Sequence, residues 1–289
     1  MFSYRHAFHA GNHADVLKHT VWLSILDRLM QKDKGLLLID THAGAGVYAL
    51  KGEAASTSGE AQNGIAALLE GDAAKLPAPL QRYVEVLSAF NGGRDSVAQY
   101  PGSPALSAHV MREQDHLHVF EVHPTDQRYL RNWAQNHEAA KRIRMHQADG
   151  FAGTKSLLPP PTRRGALLCD PSYELKTDYA QVAQWLQDGL QRFATGVFAI
   201  WIPQIARLEA NELPRRLRTI AQKADKPWLH ALLQVRGNNS AAPGGGLSGS
   251  SMFIVNPTFE LHEQLQSVLP HLVKALGQDS HARFELTRG

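Results

Sequence analysis

Apolar positions along this chain switch between a helical period and short uninterrupted runs. From Asn12 to Lys32, Leu17, Val21, Ile25 and Leu29 recur every four residues, which predicts a helix with one buried stripe, begun after Asn12 and with Asp15 in its first turn. Beyond it, residues 36–40, 117–121, 143–145, 166–170 and 197–201 read as strands. Helical patterns at 126–136, from Gly150 to Leu158, at 179–193 and at 207–224 separate them. Strands alternating with helices predict a parallel sheet. Two final strands, 228–235 and 251–256, are joined by a glycine-rich segment in place of a helix, so the sheet closes in a hairpin with one antiparallel strand. The fold class is α/β, Rossmann-like and mostly parallel, with no internal repeat.

The alternation breaks once. After Gly46 the chain does not return to a strand until Leu117; residues 64–70 and 79–90 have helical patterns, whereas 53–59 and 91–100 are polar connectors. An acid that binds a ribose normally ends the second strand about 20 residues after a glycine loop. Glu121 lies far later, so a small helical subdomain, residues 48–100, is inserted into a domain made of 1–47 and 101–289.

Composition narrows the class without deciding it. The 289 residues, 43% hydrophobic and 20% charged, suffice for one sizeable core. The net charge of +3, a sequence pI near 9.0 and 15 histidines suit a polyanionic partner without demanding one. Cys169 is the single cysteine, which excludes an intramolecular disulfide and a zinc-finger spacing; its apolar strand predicts a buried thiol. With no charged leader before an apolar stretch and no run of eighteen apolar residues, a soluble, cytoplasmic protein without a membrane partner is expected.

Two strand ends carry candidate chemistry. Residues 36–40 run into Asp40-Thr41-His42-Ala43-Gly44-Ala45-Gly46, where small residues let backbone approach a nucleotide-like ligand. The third glycine of a pyrophosphate binder is missing, which favours S-adenosylmethionine over NAD. Residues 166–169 lead into Asp170-Pro171-Ser172-Tyr173, which resembles the (Asp/Asn)-Pro-Pro-(Tyr/Phe) signature of methyltransferases acting on exocyclic amines of bases. In such a loop a carboxylate and the carbonyl of Pro171 each accept one amine hydrogen, aiming the nitrogen lone pair at the methyl donor. Tyr173 would stack on the extruded base. Ser172 stands where the signature has a second proline.

These motifs, together with Tyr4-Arg5-His6 through Leu17-Lys18-His19, Tyr100-Pro101-Gly102-Ser103-Pro104 and Phe193-Ala194-Thr195-Gly196, resemble the bacterial 23S ribosomal RNA adenine-N6 methyltransferase family, over nearly the whole chain. The resemblance implies a class I methyltransferase that modifies one adenine near the peptidyl-transferase centre. It implies S-adenosylmethionine as cofactor and 23S ribosomal RNA as partner, with no metal and no obligate protein partner evident. Glu121 would accept from the ribose hydroxyls and Asp149 from the adenine amine, with Gly150 permitting close approach. Ser103, opening the helix after the inserted segment, would hold the methionine carboxylate. His19 and His42 would be further cofactor contacts. Lys18 would serve cofactor carboxylate or phosphate, with Tyr4, His6, Pro171 and Tyr173 on the substrate side. Asp170, beside cofactor and substrate, is the catalytic group.

Several readings compete. The histidines at 6, 9, 13 and 19 invite a metallohydrolase, but no HExxH pattern or tight carboxylate pairing accompanies them. Asn256-Pro257-Thr258-Phe259 is a second near match to the amine-binding signature, placed after the last strand. Arg163, Arg164, Lys176, Arg215, Arg216 and Arg218 are candidate phosphate contacts, and residues 237–250 a loop able to close over substrate. An adenine-N6 DNA methyltransferase and a noncatalytic cofactor-binding RNA assembly factor remain as alternatives.

Overall fold

Short apolar strands assemble into one eight-stranded sheet in the computed structural model, which describes residues 9–50, 59–93, 97–237 and 246–289. In chain order the strands are β1 (Leu37–Asp40), β2 (Val47–Ala49), β3 (Gln99–Pro101), β4 (His116–Phe120), β5 (Ile143–His146), β6 (Gly165–Cys169), β7 (Val197–Gln204), β8 (Trp228–Gln234), β9 (Gly249–Val255) and β10 (Arg283–Arg288). The sheet order is β10-β8-β9-β7-β6-β1-β4-β5, while β2 and β3 form a separate antiparallel ribbon. β1 pairs in parallel with both β4 and β6. The chain therefore builds outward one way through β4 and β5 and the other way through β6 and β7, which places the topological switch point beside β1.

The expected antiparallel strand is β9, between β7 and β8. A second one was not foreseen: β10 pairs antiparallel with β8 at the sheet edge. Its residues Arg283 to Arg288 are mostly exposed, so it lacks the apolar run that marks the inner strands.

Helices cover both faces. One face carries α1 (His13–Met30), α2 (Ala78–Phe90), α3 (Ser103–Val110), α4 (Pro124–Asn136) and a C-terminal helix, while α5 (Lys176–Arg192) and α6 (Leu208–Lys223) cover the other. The C-terminal helix, α7 (Leu261–Leu276), contributes Leu265, Leu269 and Leu272 to the core. Asn12 starts α1 by accepting from the amides of Ala14 and Asp15. The single stripe expected on α1 is wrong: every residue from His13 to Leu26 is buried, because β9, α3, α7 and the helices between β2 and β3 surround it. Those intervening helices share its core, with Ile65, Leu80, Tyr83 and Leu87 packed in the same cluster as Leu17 and Val21. Among the described residues no helix is long and apolar enough to cross a membrane, and Cys169 is fully buried.

Candidate active site

Three carboxylates leave the carboxyl ends of neighbouring strands: Asp40 ends β1, Glu121 follows β4 and Asp170 follows β6. They surround the switch point, where open α/β sheets bind ligands. A cleft of about 360 Å³ opens there, lined by Lys18, His19, His42, Gly44, Ser103, Glu121, Asp149, Phe151, Asp170 and Pro171 among others. That volume lies within the range of small-molecule and cofactor sites.

The loop after β1 is shaped around glycine. Gly44 has φ +60°, and a Cβ there would stand 2.2 Å from the Tyr48 hydroxyl, which accepts from the Ala45 amide. The Gly44 amide donates to Glu121 at 2.8 Å, and the second Glu121 oxygen accepts from the His123 amide at 2.7 Å. Burial raises the Glu121 carboxyl above the usual range against those two bonds. His42 packs edge-on to Phe151, its ring centroid 4.8 Å away, and burial lowers its imidazole to about 3, so it is neutral. Asp149 caps the short helix Gly150–Gly153 through the Phe151 amide. Gly150 does not line the cleft; a Cβ there would lie 2.1 Å from the Thr41 carbonyl, so its smallness serves helix-to-loop packing.

Ser103 opens α3, as expected, but not as its N-cap, which is Gly102. Its hydroxyl donates to Asp40 at 2.6 Å, and the His42 amide reaches the other Asp40 oxygen at 3.2 Å. Burial pushes the Asp40 carboxyl up to about 6 despite both bonds. An unfolded Asp titrates near ~3.9. Between these values the folded protein holds a proton that the unfolded chain has released, so the contribution of Asp40 to stability is full below about pH 4 and is lost as pH rises through about 6. Asp40→Asn should remove a decline on the order of 3 kcal/mol across that window, measured by urea unfolding at several pH values.

Asp170 does not stand alone. Its Oδ2 lies 2.6 Å from the ammonium of Lys18, which also reaches Asp15 at 2.7 Å. Lys18 and Asp15 side chains are 5% and 1% exposed, and Asp15 further accepts from the Gly11 amide at 2.9 Å. Burial lowers the Lys18 ammonium; the Asp15 and Asp170 carboxylates outweigh it and hold the group well above an ordinary lysine. Lys18 is thus committed to two carboxylates of the protein, in place of the cofactor carboxylate or phosphate expected of it. His19, fully buried, shares a 2.8 Å hydrogen bond with Tyr100 and stacks on its ring.

Tyr173 does not present a face for base stacking. Its ring is buried beside Tyr179, 4.7 Å away between centroids, and its hydroxyl donates to the Trp201 carbonyl at 2.6 Å. With φ +53° the residue turns inward, leaving Pro171 and Ser172 at the cleft. Arg207 donates to the Tyr173 carbonyl at 2.9 Å and to that of Glu174 at 3.4 Å, anchoring a loop that lacks the second proline. Arg207→Ala should lower the rate of turnover about tenfold to a hundredfold through misplacement of Asp170, with cofactor affinity unchanged. Calorimetry beside turnover assays checks this split.

Other expectations fare unevenly. Tyr4 and His6 lie outside the described residues, as does most of the loop 237–250. Arg164 is no free phosphate contact: it donates to the carbonyls of Leu29, in the last turn of α1, and of Lys32 and Lys34 just past it. Lys176 pairs with Glu209 at 3.2 Å, and Arg218 lies 4.7 Å over the Trp228 ring. Asn256 follows β9, whose end lies beside the start of β7, at the opposite ends of the parallel strands from the cleft. Its amide donates to the carbonyls of Ala194 and Gly196. Among the described residues no group of three His, Cys, Asp or Glu could hold a metal ion. Asp15, Phe151 and Arg207 were missed; only Asp15, three positions before Lys18 on one helix, left a local signal.

A family model described as ribosomal RNA large subunit methyltransferase D, RlmJ, matches residues 33–287. Ribosomal RNA large subunit methyltransferase J of Escherichia coli K12 is 42% identical over 94% of this chain and 93% of its own. The protein of the same description from Haemophilus influenzae is 39% identical over 96% and 94%. A crystal structure of a Legionella pneumophila protein superposes with TM-score 0.86 at 29% identity, covering 97% of this chain and 98% of that one.

Proposed function

Since the chain belongs to the ribosomal RNA large subunit methyltransferase family just described, we propose that it methylates the exocyclic N6 of one adenine of 23S ribosomal RNA near the peptidyl-transferase centre, using S-adenosylmethionine. The observation that carries this reading is the position of Asp170: an ion-paired carboxylate on an anchored loop, facing the same cleft as Glu121 and the Gly44 backbone.

The lining fits the cofactor. Glu121 has acceptor capacity for a ribose diol, Phe151 and Val122 offer apolar contact to a flat heterocycle, and the first amides of α3 favour a carboxylate. Asp149, also in the lining, would accept from the adenine amine, and His19, His42 and Ser103 border the remainder. When bound, S-adenosylmethionine supplies an electrophilic methyl group on a sulfonium. The protein's own task is to orient the acceptor. Asp170 accepts one hydrogen of the adenine amine and the Pro171 carbonyl accepts the other, which directs the nitrogen lone pair.

Asp15, Lys18 and Asp170 together carry one net negative charge. That excess faces the nitrogen as it becomes positive, while Lys18 fixes the position of the Asp170 carboxylate. Asp170 is also an acceptor for the proton that N6 sheds after methylation. The test is transfer of labelled methyl groups to unmodified 23S RNA and to DNA, with nucleoside analysis. N6-methyladenosine from RNA alone is expected; label in DNA overturns the substrate, and cofactor binding without transfer to either overturns the activity.

A further inference from the structure

A second cleft, of about 210 Å³, lies at the start of α1, where Asn12, His13, Glu60, Asn63, Arg236 and Gln278 meet. It shares no lining residue with the first cleft, and nothing in the chemistry derived above uses it. His13 is only 6% exposed, and its Nδ1 is buried without a hydrogen-bond partner. Burial lowers that imidazole to about 4, so the ring is neutral, with one nitrogen to donate and one to accept. Nδ1 is closed to solvent, so the ring lines the cleft without offering that nitrogen to a ligand.

The other lining groups define what the cleft can hold. Glu60 is fixed by His9 at 2.9 Å and by the Asn12 amide at 3.0 Å. Arg236 is half-buried and its guanidinium makes no hydrogen bond among the described residues. Asn63 and Gln278 add amides that both donate and accept. A phosphate would meet the Glu60 carboxylate beside the Arg236 cation. A flat neutral edge bearing both donors and acceptors matches cation, carboxylate and amides together, and the cavity has room for one heterocycle.

We infer that this second cleft binds the base of an unpaired nucleotide of the RNA substrate, read on its edge by Arg236, Glu60 and Asn63. The inference rests on RNA being the substrate. Unpaired bases are how proteins read RNA sequence, because the grooves of an A-form duplex hide the edges. His13 and Lys18 are five residues apart on one helix, about 7.5 Å of rise and about 140° of turn, so the two clefts flank the same stretch of α1 from different sides. The base therefore belongs to a nucleotide flanking the methylated adenine.

The test is direct binding of a short RNA carrying the target adenine, with the full chain and variants. Arg236→Ala, and separately the surface variant Asn63→Ala, should weaken RNA binding about tenfold or more for Arg236 and less for Asn63, the loss of hydrogen bonds to a base, with cofactor affinity unchanged. Single abasic nucleotides at each flanking position in turn should weaken wild-type binding at one position, and that position should have no further effect in Arg236→Ala. Unchanged Kd in both variants overturns the inference. So does an Arg236→Ala loss that adds fully to every abasic substitution, and so does a loss that only reduces the salt slope, the mark of a phosphate contact. Methyl transfer to the same RNA is measured in parallel: wild-type failure there counts against the activity, whereas the binding series alone decides the cleft.

Discussion

Asp170→Ala should lower methyl transfer by about a thousandfold or more, while the dissociation constant of S-adenosylmethionine changes by less than about threefold. The two effects separate because different groups serve them. Glu121, the Gly44 backbone, Phe151 and the start of α3 remain when the Asp170 carboxylate is gone. Lys18 keeps Asp15 at 2.7 Å, so the buried ammonium is still paired and the fold survives. What disappears is the acceptor that orients the amine and the negative charge facing it as it becomes cationic. Asp170→Asn retains an acceptor oxygen without the charge and should fall between wild type and alanine. Labelled-methyl turnover and calorimetry on the same preparations measure both quantities; a comparable loss of turnover and affinity would refute the division of roles.

The inner strands were legible because short apolar runs bounded by turns leave few alternatives. β1, β4, β6, β8 and β9 each lie within about two residues of the sequence reading. Burial on all sides defeats periodicity, which is why α1 read as a one-sided helix although neighbours enclose it as far as Leu26. β10 is held by backbone pairing to β8 at an exposed edge and carries no apolar signature. In the site, residues at strand ends were found because the fold itself specifies those positions. The link from Lys18 to Asp170 spans 152 positions and joins a helix to a strand end, so no local pattern announces it. The same is true of Arg207, whose role depends on carbonyls that a left-handed Tyr173 turns toward it.

That link makes Lys18 the second decisive position. Lys18→Met should destabilise the protein by about 3–5 kcal/mol, the usual cost of removing one partner from a buried ion pair, and lower turnover at neutral pH about a hundredfold or more. Without the ammonium, two carboxylates that now flank one cation face each other in a buried site, and like charges so placed share a proton instead of both ionising. A proton on that pair removes the charge that the amine needs. Turnover of Lys18→Met should therefore recover in part as pH rises and the pair sheds its proton. The wild type lacks this recovery, since its carboxylates hold Lys18 protonated far above neutral pH. Lys18→Arg keeps the charge but brings a planar fork in place of a compact ammonium, so it should rescue stability more than rate. Urea unfolding and turnover across pH settle the matter: a Lys18→Met profile parallel to wild type would mean that Lys18 supports the fold alone and leaves the charge on Asp170 untouched.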